Sequence, residues 1–218
     1  MIDFSLYLVT DRTLSLGRST VDIVRAAVTG GVTCVQLREK ECSTRFFIEE
    51  ARRIKELLRE IGAAVPLIIN DRIDVALAVG ADGVHLGQTD MPAADARRLV
   101  GSSCIIGISA ESVTDAIRAE KEGADYIGIS PVFATSTKND TAAPLGLHGI
   151  QAIRAAVSLP LVGIGGITAE NAAEIIRAGA DGIAVVSAIV GSPSPEDAAK
   201  SLKTKINSSL QQDRTSAS

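Results

Sequence analysis

Gly80-Ala81-Asp82-Gly83-Val84 recurs along the chain as Gly123-Ala124-Asp125-Tyr126-Ile127 and again as Gly179-Ala180-Asp181-Gly182-Ile183. Gly30-Gly31-Val32 is a weaker copy. Each copy follows an amphipathic helical stretch and precedes a short β-branched run. The leading glycine suits a helix end, where a left-handed residue closes the last turn. The apolar run after it reads as a buried strand. The main copies begin at residues 80, 123 and 179, about 43 to 56 residues apart. That spacing suits two strand–helix units per repeat, and eight units of about 25 residues use up the 218-residue chain.

Working outward from the repeats, strands are expected at Leu6–Thr10, Cys34–Arg38, Leu67–Asn70, Gly83–Leu86, Ile105–Ile108, Tyr126–Ile129, Leu161–Ile164 and Ile183–Val186. Helical patterns lie between them, among them Thr44–Ile61, Ser112–Glu122 and Ala169–Ala178. Apolar strands alternating with helices point to a parallel sheet covered on both faces. The count of eight, with no second domain left over, favours a single α/β domain, a (βα)8 TIM barrel, over an open doubly wound sheet. The barrel is placed at 1–210 and a polar, Ser-rich tail, expected to fray, at 211–218.

The chain is 46% hydrophobic and 22% charged, the balance of a globular domain and not of a disordered one. Aromatic residues are 3% and there is no Trp, so the core must be built from Ala, Val, Ile and Leu. A net charge of −4 disfavours a general nucleic-acid binder. The cysteines Cys34, Cys42 and Cys104 form no C-x-x-C pair, which argues against a disulfide framework or a zinc site and for a reducing cytoplasm. The first residues lack the pattern of a signal peptide, and no apolar run reaches the roughly 18 residues of a membrane span. No surface stripe separates an oligomer contact from barrel–helix packing.

In a parallel barrel the chemistry sits at the C-terminal ends of the strands. The second strand ends Gln36-Leu37-Arg38-Glu39-Lys40, and alternation puts Gln36, Arg38 and Lys40 on one face. An Arg fork beside a mobile Lys suits a phosphate or diphosphate, since unpaired cations in a barrel mouth would otherwise repel each other. Asp71 and Asp90 fall on adjacent strand ends, within reach of one cation, and carboxylates with open water positions are how proteins hold Mg²⁺. Each Asp reads equally as a helix cap. Ser109 suits either a substrate contact or the cap of the next helix.

After the sixth strand a long connection carries Thr135-Ser136-Thr137-Lys138, three hydroxyls and a cation able to close over a phosphate. Gly163-Ile164-Gly165-Gly166 and Val185-Val186-Ser187 end the last two strands, where small residues let backbone N–H groups approach a phosphate. His85, inside a strand, reads as a hydrogen-bonded interior residue rather than a catalytic one, and His148 as a surface or cap residue. No Ser-His-Asp set, general-acid carboxylate pair or zinc motif is present. A diphosphate with Mg²⁺ at one anion site and a phosphate ester at the other suit a reaction driven by leaving-group stabilisation.

Taken together, Tyr7-Leu8-Val9-Thr10-Asp11, Gln36 to Lys40, Asn70-Asp71, His85-Leu86-Gly87-Gln88-Thr89-Asp90, Thr135 to Lys138 and Gly163 to Gly166 resemble thiamine phosphate synthase, in the same order from about residue 5 to residue 190. The resemblance implies a (βα)8 enzyme joining hydroxymethylpyrimidine diphosphate to thiazole phosphate, with release of diphosphate. It implies that Gln36, Leu37, Arg38, Glu39, Lys40 and Asn70 bind the pyrimidine diphosphate, with Ser109 and Lys138 as further contacts. It implies Asp71 and Asp90 as Mg²⁺ ligands. Thr135, Ser136, Thr137, Gly166, Val186 and Ser187 would hold the thiazole phosphate. Arg38, Lys40, Lys138 and Ser109 would act in catalysis. One departure is Ala134, where the family usually has Pro. Rival readings are a thiazole tautomerase-like isomerase, a non-catalytic phosphate-ligand sensor, and a sugar-phosphate isomerase or aldolase. The first two have no use for the diphosphate apparatus, and the third needs a base or Schiff-base Lys.

Overall fold

The computed structural model describes residues 2–135 and 143–216, with side chains as far as 209. Its strands are β1 (Leu6–Val9), β2 (Cys34–Leu37), β3 (Leu67–Asn70), β4 (Gly83–Leu86), β5 (Ile105–Ala110), β6 (Tyr126–Ile129), β7 (Leu161–Ile164) and β8 (Gly182–Val185). They pair in parallel in sequence order, and β8 pairs with β1 to close the barrel expected from the repeats. Strand β5 runs past its expected end at Ile108, because Ser109 and Ala110 stay in register with Gly128 and Ile129 of β6.

The helices are α1 (Thr20–Thr29), α2 (Thr44–Glu60), α3 (Ile73–Val79), α4 (Ala93–Val100), α5 (Val113–Lys121), α6 (Gly146–Ala156), α7 (Ala172–Arg177), α8 (Ser187–Val190) and α9 (Pro195–Ser216). Ser19, Ser43 and Ser112 cap α1, α2 and α5, each accepting from an amide of the first turn. Helix α7 begins later than the expected Ala169. Asn171 Oδ1 accepts from Thr168 N at 2.9 Å and holds a turn ahead of the helix. Helix α9 packs on α1, α7 and α8, and its backbone stays helical through Ser216, past the boundary at 210 drawn from composition. Among the described residues no helix is long and apolar enough to cross a membrane.

Strand alternation sorts the core into two layers. Outward residues such as Leu6, Leu8, Val35, Leu37, Ile69 and Leu86 pack under the helices with Ile23, Val24, Phe47 and Ile54. Inward residues Tyr7, Val9, Cys34, Ile68, Tyr126, Val162 and Ala184 fill the barrel around Phe4.

The recurring motif has a structural task at the other end of the barrel. Asp82 Oδ2 accepts from Leu67 N at 2.8 Å, Asp125 Oδ2 from Ile106 N at 2.7 Å and Asp181 Oδ2 from Leu161 N at 2.8 Å. Thr33 Oγ1 does the same for Leu6 N at 3.1 Å in the weaker copy. Each residue precedes an even-numbered strand and satisfies an amide at the start of the odd-numbered strand before it. The two-unit period of the sequence is therefore the period of this contact. Asp125 also pairs with Arg97 at 2.6 Å. Asp125→Ala leaves the Ile106 amide without its acceptor and is expected to destabilise the barrel by about 1–3 kcal/mol. Urea unfolding checks this, with a shift below about 0.5 kcal/mol counting against the task.

Candidate active site

The C-terminal strand ends open into a cavity of about 610 Å³. From β2 and its extension, Gln36, Arg38 and Lys40 line it, as alternation requires. Leu37 and Glu39 lie on the other face and do not line it. Leu37 belongs to the outer core layer. The side chain of Glu39 is sheltered, with Arg12 at 3.6 Å from Oε2 and, among the described residues, no hydrogen-bond partner at Oε1. Burial pushes its carboxyl above the usual range.

The two cations are not unpaired, and the repulsion expected from sequence is relieved within the chain. Arg38 Nη1 lies 3.1 Å from Asp11 Oδ2, and Lys40 Nζ lies 2.6 Å from Asp71 Oδ2. Asp11 also accepts from Thr13 N at 2.9 Å, which ties it to the short 3-10 turn at Arg12–Leu14.

Asp71 and Asp90 both face the cavity, beside Asn70. Neither caps a helix. The residues at the starts of α3 and α4 are Arg72 and Pro92, with no side-chain cap bond. Asp71 takes a left-handed backbone, φ 61°, while its amide donates to His85 O at 2.9 Å. Such a conformation in a non-glycine residue is strained and is tolerated best by Asp and Asn. Burial pushes the Asp90 carboxyl up, against the Gly87 N–H that donates to Oδ2 at 2.7 Å, and the neighbouring Asp71 carboxylate pushes it further. A carboxylate pushed up by burial and by a neighbouring carboxylate is the kind of place that a cation would stabilise. Among the described residues no group of three His, Cys, Asp or Glu is arranged for a metal.

Beneath the cavity runs a chain of polar side chains. Gln36 Nε2 donates to Tyr7 Oη at 3.0 Å, and Tyr7 Oη lies 2.9 Å from Tyr126 Oη. Tyr126 Oη is 2.8 Å from His85 Nδ1, whose Nε2 is 2.9 Å from Ser109 Oγ. Ser109 therefore does not cap α5, a task left to Ser112.

The opposite wall is neutral. Gly165 and Gly166 turn with φ of 103° and 63°. A Cβ on Gly166 would sit 2.6 Å from Ala134 O, so only glycine lets the β7 loop meet the chain after β6. Asn171 Nδ2 donates to Gly166 O at 2.9 Å and fixes that loop. Thr135, Gly166, Val186 and Ser187 line the cavity. Ser136, Thr137 and Lys138 lie outside the described residues.

A family model described as thiamine monophosphate synthase matches residues 6–189, every strand of the barrel. The chain belongs to this family. It is 55% identical to the thiamine-phosphate synthase of Chloroflexus aurantiacus over 207 residues, 95% of this chain and 94% of that one. It is 50% identical to that of Moorella thermoacetica, over 93% of this chain and 96% of the relative. The thiamine phosphate pyrophosphorylase structure from Pyrococcus furiosus superposes with a TM-score of 0.87 at 41% identity, covering 95% of this chain and 98% of that one. A 3-hexulose-6-phosphate synthase, at TM-score 0.69 and 16% identity, shares the fold alone.

In this thiamine monophosphate synthase barrel the sequence alone gives no partner to Asp11, Tyr7 or Tyr126, although Tyr7 and Asp11 stand in a motif quoted for the resemblance. Asp11 approaches Arg38 only once β1 and β2 pair. Tyr7 and Tyr126 carry the signal of polar-tipped residues at inward positions of otherwise aliphatic strands. Gln88, quoted within its motif, donates to Ser109 O and accepts from Arg118, which couples the loop after β4 to the end of β5.

Proposed function

We propose that this chain joins an aminopyrimidine methyl diphosphate to a thiazole phosphate, releasing diphosphate and forming thiamine phosphate. The observation that carries the reading is the division of one cavity into a charged wall, with Arg38, Lys40, Asp71 and Asp90, and a neutral wall of glycines and hydroxyls. A cavity of about 610 Å³ has room for two small substrates side by side.

Gln36, Asn70 and Ser109 hold the pyrimidine ring, and Arg38, Lys40 and Lys138 hold the diphosphate. Leu37 and Glu39 contribute through backbone only, since their side chains face away from the cavity. Thr135, Ser136, Thr137, Gly166, Val186 and Ser187 hold the thiazole phosphate. The C–O bond to the diphosphate breaks first, and the electron-rich ring supports the cation left on its methylene. The thiazole nitrogen then attacks and keeps the positive charge, so no protein base is needed to activate it. Arg38, Lys40 and Lys138 meet the charge that grows on the leaving oxygens.

Asp71 and Asp90 fit Mg²⁺, which is commonly held by one or two carboxylates and completed by water and substrate phosphates. When bound, the ion would add positive charge at the departing diphosphate. Lys40 neutralises Asp71 in the free protein. A reducing cytoplasm is part of the proposal and suits the three free cysteines.

Purified protein with both substrates and Mg²⁺ is expected to yield thiamine phosphate by mass, and EDTA to abolish it. Absence of product from folded protein would overturn the reading. Asp90→Asn should raise the Mg²⁺ concentration for half-maximal rate at least about tenfold. An unaltered metal titration would remove Asp90 from the ligand set.

A further inference from the structure

We infer that Tyr7, Tyr126 and His85 are positioning residues that set which atoms Gln36 and Ser109 present to the pyrimidine ring, an inference that rests on the function proposed above. The direction of the chain follows from its first link. An amide nitrogen only donates, so Gln36 Nε2 occupies an acceptor site of Tyr7 Oη. The single Tyr7 proton then goes to Tyr126 Oη, and that of Tyr126 to His85 Nδ1. The ring proton of His85 sits on Nε2 and is donated to Ser109 Oγ. Run the other way, Tyr126 would donate to Tyr7, whose own proton would be left to the sulfur of Cys34, the further partner shown among the described residues and a weak acceptor.

Two consequences reach the cavity. Gln36, its nitrogen held from below, offers Oε1 as an acceptor. Ser109, its oxygen already accepting, offers its O–H as a donor. An acceptor on one side and a donor on the other complement a ring edge with an amino group and a bare ring nitrogen. A 4-oxo ring presents the reverse pattern and meets acceptor against acceptor.

Packing does not require these hydroxyls. Elsewhere the barrel interior is filled by Ile68, Val162 and Ala184. Both tyrosines are fully buried, where a polar group is unfavourable unless it is bonded. Room has been cleared for the chain as well. A Cβ on Gly107 would lie 2.0 Å from Tyr126 Cζ, and one on Gly128 3.0 Å from His85 Cε1.

The test has one readout that needs no turnover and one that does. In ¹⁵N-labelled protein, with His148→Gln to assign the signals, His85 is expected as the Nε2–H tautomer. The Nδ1–H tautomer would overturn the inference. By calorimetry, the wild type should prefer the 4-amino pyrimidine diphosphate over its 4-oxo analogue, and Tyr126→Phe should cut that preference about tenfold. Tyr7→Phe frees the Gln36 amide to turn over and should do the same, which keeps the test available if the first variant folds poorly. In steady state, Tyr126→Phe should raise KM for the pyrimidine diphosphate about tenfold and that for thiazole phosphate less than twofold. Equal rises in both, or an unchanged preference between analogues, would make the chain merely structural and overturn the inference. A wild type that discriminates the analogues yet forms no thiamine phosphate would overturn the functional reading and support the chain.

Discussion

Arg38→Ala is expected to lower kcat/KM for the pyrimidine diphosphate by about 10²–10³, the scale seen when one preorganised donor to a developing anion is removed. Arg38 and Asp11 are 20% and 13% exposed, sheltered enough for the pair to hold the guanidinium in one place before substrate arrives. The same pairing makes the variant worse than loss of a contact. Asp11 is left with an uncompensated charge beside the cavity, where it repels a diphosphate. The double variant Arg38→Ala with Asp11→Asn should therefore recover part of the loss. Arg38→Lys should recover little, since a point charge does not replace a planar fork. The thiazole phosphate KM should hardly move. A loss below about threefold in kcat/KM would remove Arg38 from the diphosphate site.

Gly107→Ala should be highly damaging for so small a change. The added Cβ meets Tyr126 at Cζ, Cε1 and Oη within 2.0 to 2.3 Å. The phenol cannot turn aside, because its hydroxyl is held between Tyr7 and His85 and its ring packs on Phe4 at 4.5 Å between centroids. Overpacking of this kind commonly costs about 1–3 kcal/mol, and the top of that range is expected here. For a domain of this size that is roughly 6–12 °C in Tm. Thermal unfolding followed by circular dichroism measures it. Gly107→Ala with Tyr126→Leu removes the clash but also the chain, so stability should return without discrimination between 4-amino and 4-oxo rings. A Tm within about 2 °C of wild type for the single variant would show that the ring has room to move.

Much of the barrel is legible in the residues. The glycine that ends a helix and the Asp that follows it mark every second unit, and the structure explains why: Asp82, Asp125 and Asp181 each bond an amide of the preceding strand. Strands β3, β4, β6 and β7 have the bounds that their apolar runs suggest. The start of α7 is not legible, because Ala169 and Ala172 have the same helix propensity and the decision belongs to the Asn171–Thr168 turn.

The site divides in the same way. Period two along a strand needs no partner, so Gln36, Arg38 and Lys40 are placed on one face by sequence alone, and Leu37 and Glu39 on the other. Which charge meets which is not local. Asp11 reaches Arg38, and Asp71 reaches Lys40, across neighbouring strands separated by a helix in the chain. The same holds for Gln36, Tyr7, Tyr126, His85 and Ser109, drawn from five strands and joined only when the barrel closes. The sequence by itself determined the element types, their order, the inward and outward faces and the end of the barrel where chemistry sits, because helix and strand periodicity are properties of near neighbours. Tertiary structure alone decided the ion pairs, the strained Asp71 and the direction of the buried hydrogen bonds, because those depend on distances of a few ångströms between residues far apart in the chain.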